Sequence, residues 1–163
     1  MRINTTLLAK VSVLSALCGL GSLVPFPSPV GTIALDSFPG FFAALSFGRW
    51  MGALVCFIGH VITSLVHGFP LGLLHSAIAV GMGLDGFVIG LLRKRAGVYP
   101  ACIAGVLVNV GLFPLATPVM GFWGALLLTP YLAVASSVNM ALAFVVYRAL
   151  KGAGLVKEDG SKR

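Results

Sequence analysis

Phe38–Phe47 reads FPGFFAALSF, ten almost wholly apolar residues, and whether they enter a membrane decides the fold. A helix that crosses a bilayer needs roughly 20 residues, so this one is too short to cross upright by itself. Composition fixes the solvent around it. Of 163 residues 58% are hydrophobic and only 9% charged, with 21 glycines and a mean hydropathy of +1.04. A soluble domain of this length could not cover such a chain with polar surface. Apolar runs with Gly and Pro inside them and Trp or Tyr near their ends indicate helical spans, and the alternating segments of a membrane barrel are not seen. The spans predicted are 7–24, 38–47, 50–66, 71–92, 99–115 and 123–147. The expected fold is an all-α integral membrane protein, a six-helix bundle within residues 1–152, with a charged tail at 153–163.

The formal charge of +7 invites a nucleic-acid reading, which the placement of the charges answers. With both termini cytoplasmic and six alternating spans, Arg2, Lys10, Arg49, Arg93, Lys94, Arg95, Arg148, Lys151, Lys157, Lys162 and Arg163 all fall on one side. The opposite segments, 25–37, 67–70 and 114–122, carry no Lys or Arg. This is the positive-inside pattern without an exception. It requires the short second span, because omitting it would put basic residues on both sides. Basic charge here answers to topology and anionic headgroups, and nucleic-acid binding is set aside. Cys18, Cys56 and Cys102 each lie inside a span without paired spacing, so small buried hydrophobes are expected rather than a disulfide or metal site.

Residues 24–42, VPFPSPVGTIALDSFPGFF, form the outer connection between the first two spans. Prolines at 25, 27, 29 and 39 forbid a continued helix. Backbone that cannot satisfy itself must meet water or line a protein cavity. Apolar filling around Thr32, Asp36 and Ser37 favours a lid over a pocket to a plain solvated connector.

Polar residues within the spans define the rest of the expected site. His60 and His67 are seven apart, hence on one face of the third helix, and His75 follows the hairpin HGFPLG, so His67 and His75 are expected to face each other. Two histidines with Asp36 match no standard metal motif. Asn109 follows Ala101 and Gly105 at four-residue steps, and Asn139 lies between Ala135 and Ala143 at the same step. For each, interhelical hydrogen bonding and substrate contact are both open. Asp85, about eight residues from Arg93, lies roughly 12 Å inside the membrane at 1.5 Å per residue, with His60 and Asn139 expected at comparable depth. On the first span Ser12 and Ala16, and Ser15 and Gly19, have the small-xxx-small spacing that lets another helix approach.

The chain resembles the substrate-binding S component of energy-coupling factor (ECF) vitamin transporters. The features that carry the likeness are six spans in under 200 residues, the small-residue face in SVLSALCG and the long loop VPFPSPVGTIALDSFPGFF, and together they cover about 7–150. The resemblance implies a prokaryotic inner or plasma membrane protein that needs no cofactor and is no enzyme. It also implies a pocket enclosed by the outer halves of helices four to six, a transmembrane coupling subunit and two cytoplasmic ATPases. Ser12, Ser15, Ala16 and Gly19 would then belong to the coupling face, where the family usually has an alanine pair. Thr32, Asp36, His67, His75, Asn109 and Asn139 would line the pocket. His60 and Asp85 are intramembrane polar residues without an assigned role.

Metal-ion members of that family carry a histidine after the initiator methionine, and this chain has Arg2, so metal uptake is disfavoured. A pocket with histidine and asparagine but no outward Lys or Arg suits a neutral or cationic heteroaromatic compound better than an anion. The sequence is similar to members linked to cobalamin precursors such as α-ribazole, with hydroxymethylpyrimidine or another thiamin-related compound as the alternative. An intramembrane enzyme and a membrane scaffold are the readings from other classes. No Gly-x-Ser-x-Gly, His-Glu-x-x-His or P-loop motif is present in the sequence.

Overall fold

A computed structural model describes residues 5–156; Arg2 and the tail charges of 157–163, on which part of the topology argument rests, lie outside the described residues. Seven α-helices follow in order: α1 (Thr5–Ser22), α2 (Phe38–Phe47), α3 (Arg49–Val66), α4 (Leu74–Arg95), α5 (Val98–Val110), α6 (Thr117–Leu126) and α7 (Thr129–Gly152), with a 3-10 turn at Phe113–Ala116. Five stretches are long and apolar enough to cross a membrane, α5 through α6 counting as one, and α2 is a shorter sixth.

The boundaries of the later spans differ from expectation. The span predicted at 123–147 is divided, because Trp123 belongs to α6 and Pro130 opens α7 in its first turn. The expected outer loop at 114–122 is instead the 3-10 turn and the start of α6, which kinks where Gly121 takes φ 70°. At the other end of the chain Ala153–Val156 are not free tail. Gly154 at φ 73° turns the chain back, Leu155 N–H bonds the Leu150 carbonyl at 2.9 Å, and Val156 joins the core.

Outward-facing Leu20, Leu54, Leu84, Ile103, Leu107 and Val145 give the bundle an apolar coat. Lipid is as apolar as those side chains, so the hydrophobic effect does not draw the helices together and close packing must. The sequence supplies it with glycine where α2, α3 and α4 cross. A Cβ at Gly52 would meet the Gly86 carbonyl oxygen at 2.8 Å, one at Gly86 would meet Cys56 Sγ at 2.9 Å, and Gly90 lies against the backbone of Gly48 and Arg49. Gly48 (φ 93°) is the single residue that joins α2 to α3. Eight consecutive residues of α2, Pro39 to Ser46, are buried. A 10–14-residue apolar stretch can be a buried core helix, and α2 lies in the core of the bundle, covered by its neighbours rather than by lipid.

Candidate ligand cavity

The connection between α1 and α2 folds into a hairpin-like loop. Phe26 N–H bonds the Ile33 carbonyl at 2.8 Å and Leu35 N–H the Val24 carbonyl at 3.0 Å, around an isolated antiparallel bridge of Pro25 with Ala34. The returning limb lays Val30, Thr32, Ile33, Ala34, Asp36 and Ser37 along one wall of a cavity. Its other walls come from α3 (His60), α4 (His75, Ile78, Met82), α5 (Asn109), the 3-10 turn and α7 (Ser136, Asn139). The free space is about 90 Å³. Among the lining residues are no Lys and no Arg, and Asp36 is the one acidic side chain.

Of the six residues expected in a pocket, Thr32, Asp36, His75, Asn109 and Asn139 line this cavity, and His67 does not. The predicted pairing of His67 with His75 is replaced by one with His60, whose Nε2 lies 3.3 Å from His75 Nδ1. His67 ends α3 and turns its Nδ1 back to the Thr63 carbonyl at 3.0 Å. The hairpin beyond it coils through Gly68, Phe69 and Gly72, all at positive φ, so α4 starts at Leu74, three residues later than expected. His75 then falls in the first turn, beside His60.

The bonds around the histidines fix their tautomers. Leu71 N–H donates to His75 Nε2 at 3.3 Å, so a neutral His75 carries its proton on Nδ1 and donates it to His60 Nε2. His60 must then hold its own proton on Nδ1. Both nitrogens of His75 are engaged within the chain, and His60 Nδ1–H is the donor the pair has left for the cavity. Sequence reasoning gave His60 no role; its signal was the i, i+4 row His60–Ser64, with Ser64 Oγ bonding the His60 carbonyl at 2.8 Å.

Asn139 is fully engaged. Its Oδ1 accepts from Ser37 N–H at 3.0 Å and Phe38 N–H at 2.8 Å, and its Nδ2 donates to the carbonyls of Ala34 at 3.0 Å and Ala135 at 2.9 Å. That exhausts two lone pairs and two protons. The side chain reaches from α7 to cap the start of α2, which has no side-chain cap of its own, and thereby pins the loop. Asn109 is the opposite case. Its Nδ2 donates to Met82 Sδ, at 3.2 Å, a weak acceptor, and is also directed at the Asp85 carboxyl, so its Oδ1 is the end left open to a ligand. Thr32 makes no side-chain hydrogen bond among the described residues and is equally open.

Asp36 accepts from Thr63 Oγ1 at 2.7 Å and Ser37 Oγ at 3.1 Å. Burial raises its carboxyl above the ordinary carboxylate range to about 6, while the Thr63 and Ser37 hydroxyls and the nearby His67 act in the opposite sense. Thr63 Oγ1 is also 3.1 Å from the Gly59 carbonyl, so a protonated Asp36 could donate to Thr63 while Thr63 donates onward.

Asp85 is fully buried, its carboxyl oxygens make no hydrogen bond of ordinary geometry among the described residues, and the Asn109 side-chain amide is the polar group directed at it. The neighbours expected for it are committed elsewhere, His60 to His75 and Asn139 to the loop. The small residues of α1 divide. Ser15 is buried and Gly19 packs on α3, where a Cβ would meet Ile62 Cγ2 at 3.0 Å, while Ser12 and Ala16 are exposed and outward. Of the four residues expected on the coupling face, Ser12 and Ala16 alone are free to meet another chain.

A family model described as "ECF-type riboflavin transporter, S component" matches residues 2–152. Searches of curated proteins and of solved structures return no match. The matched range takes in all seven helices and every residue of the cavity. The chain belongs to the S-component family of ECF-type transporters, and is therefore a multi-pass cell-membrane protein that acts as a substrate-binding transporter subunit and not as an enzyme.

Proposed function

We propose that the protein captures an uncharged vitamin-like heteroaromatic molecule bearing a hydroxylated side chain, with riboflavin as the first ligand to be tried, and passes it inward with an ECF coupling module. The observation that carries this reading is one apolar cavity with three open polar positions, Asn109 Oδ1, Thr32 and His60 Nδ1–H, beside a single carboxyl. A flavin offers a matching set: an imide N–H for Asn109 Oδ1, a ring nitrogen or carbonyl for His60, and a polyol for Thr32 and Asp36. Its dimethylbenzo edge suits Ile78, Met82 and Leu112. No cation is present to receive a phosphate or a folate tail.

α-Ribazole is the second reading, favoured by the size of the cavity. It shares the dimethylbenzo ring and the sugar hydroxyls but is smaller, and 90 Å³ is well below the ~300–1,000 Å³ of sites for drug-sized ligands. Either molecule requires the loop at 23–37 to lift, so the loop is read as a gate. Both termini are placed in the cytoplasm, on the side of Lys10, Arg49 and Arg93–Arg95. Ser12 and Ala16 are placed against the transmembrane coupling subunit.

Titration of the detergent-purified chain with riboflavin, α-ribazole and hydroxymethylpyrimidine, read by calorimetry, tests the proposal. Saturable 1:1 binding of riboflavin, weakened about tenfold by Asn109→Ala as one lost hydrogen bond would require, is the expected result. α-Ribazole binding alone, unaffected by Asn109→Ala, would select the second reading. Heat from none of the three would end both.

A further inference from the structure

Of the two described carboxylates, Asp36 lines the cavity and Asp85 does not, yet the fold sets Asp85 directly behind one of the cavity's open groups. α5 follows α4 through Ala96 and Gly97 and returns along it, and two close approaches bracket Asp85 and Asn109 on their seam. On one side a Cβ on Gly105 would meet Ile89 Cδ1 at 2.7 Å, and on the other a Cβ on Gly81 would meet Leu112 Cδ2 at 2.7 Å. Gly81 and Ile89 each stand one helical turn from Asp85, and Gly105 and Leu112 each stand one turn from Asn109. The register of the seam therefore brings Asp85 and Asn109 opposite each other, and the Asn109 amide is the polar group directed at the carboxyl. Glycine fixes the backbone spacing on both sides of the pair, so neither side chain can drift from the other.

A side-chain amide carries two protons at one end and two lone pairs at the other, and which end meets a ligand depends on what holds the opposite one. Both neighbours of Asn109 on α4 accept from it: Met82 Sδ at 3.2 Å and the Asp85 carboxyl. Turned over, Asn109 would set its Oδ1 against the lone pairs of a sulfur and of a carboxyl oxygen. A thioether is too weak an acceptor to impose that choice, whereas a carboxyl is a strong one. A carboxyl at membrane depth is costly to keep, and Asp85 makes no other hydrogen bond among the described residues that would account for it.

We propose that Asp85 is a positioning residue that acts through Asn109, holding the amide with Nδ2 toward α4 and Oδ1 toward the cavity, so that the site selects a ligand that donates a hydrogen bond at that point. Asp85 thereby sets specificity without touching the ligand. The choice of riboflavin as the probe rests on the function proposed above, and the arrangement of the two side chains does not.

The test compares riboflavin with its derivative methylated at the imide nitrogen, which lacks the donated proton. Calorimetry on the full-length chain in detergent should show wild type preferring riboflavin, and Asp85→Leu should reduce that preference about tenfold, the scale of one hydrogen bond. Any clash of the added methyl group is common to both proteins and cancels. A carboxyl that only supports the helix crossing would, when removed, weaken both ligands together; an unchanged preference therefore overturns the proposal. If Asp85→Leu does not fold, Asp85→Asn carries the same comparison, because an amide donates as readily as it accepts and no longer dictates the sense of Asn109. A ligand-free readout separates the arrangement from the cargo. In a nitrogen–proton correlation spectrum the side-chain amide signal of Asn109, identified by its loss in Asn109→Ala, should shift in Asp85→Leu while that of Asn139 stays in place. That shift in a protein that binds no riboflavin would retire the flavin reading and leave Asp85 in its role. No shift would overturn the proposal whatever the cavity holds.

Discussion

The two sides of the bundle are built on different terms. Where α2, α3 and α4 meet, backbones touch backbones: Gly52, Gly86 and Gly90 leave no room for a methyl group. On the cavity side α5 buries Ala101, Gly105 and Asn109, and α6 buries Ala125 alone. The loop there is held by the side-chain amide of Asn139 and by the backbone of Leu35 and Asp36 lying against Gly21 of α1. In a solvent that does not squeeze helices together, the first side can hold its shape through packing, and the second, where α6 buries a single residue, has less packing to resist opening. A protein that must admit a ligand from one side and keep a constant form elsewhere needs that asymmetry.

The sharpest way to break the comparison is to place a methyl group on each side. Gly86→Ala drives a Cβ into the Gly52 backbone and Cys56, and should cost ~3 kcal/mol or more or abolish folded protein, as overpacking against backbone does. Gly124→Ala meets Met120 Cβ at 3.1 Å within its own helix and no neighbouring backbone, and should lower the melting temperature much less. Equal effects, read by thermal unfolding in detergent, would remove the distinction.

A smaller effect is expected from the pin. Asn139→Ala strips acceptors from the Ser37 and Phe38 amides and should cost about 2–3 kcal/mol. Hydrogen exchange should rise in 24–38 and stay unchanged in α3 and α4; a uniform rise would mean that Asn139 supports the whole bundle.

The smallest effect depends on pH. Because burial raises the Asp36 carboxyl to about 6, the folded chain holds that proton more tightly than the unfolded one. Its contribution to stability is full below the ordinary carboxylate value near 4 and is lost as pH rises through about 6. Asp36→Asn should therefore stabilise the protein by about 2 kcal/mol more at pH 8 than at pH 4. A constant difference across that range would mean that Asp36 is not held in its neutral form.

How much of this was legible beforehand follows from the range of the interactions. Charge placement alone demanded a helix at Phe38–Phe47, because topology is a one-dimensional property of the chain. The four-residue steps Ala135–Asn139–Ala143 announced a close approach at Asn139, but its partners lie about a hundred residues away in a loop without periodicity, so its role as the cap of α2 could not be read. The His67–His75 pairing failed for a local reason: three residues at positive φ coil the hairpin, and only one of them, Phe69, is not a glycine. The division at 127–128 was marked by Pro118 and Pro130, each in the first turn of its helix, but high hydropathy on both sides hid it.

The burial of α2 also bears on how the chain enters the membrane during synthesis. A ten-residue helix wrapped on nearly every side by its own protein has no lipid-facing surface by which it could be recognised and released into the bilayer alone. With Gly48 as the only link to Arg49, α2 and α3 are expected to be delivered together as one helical hairpin. A face of α2 stays uncovered until α4 and α7 have arrived to pack on it.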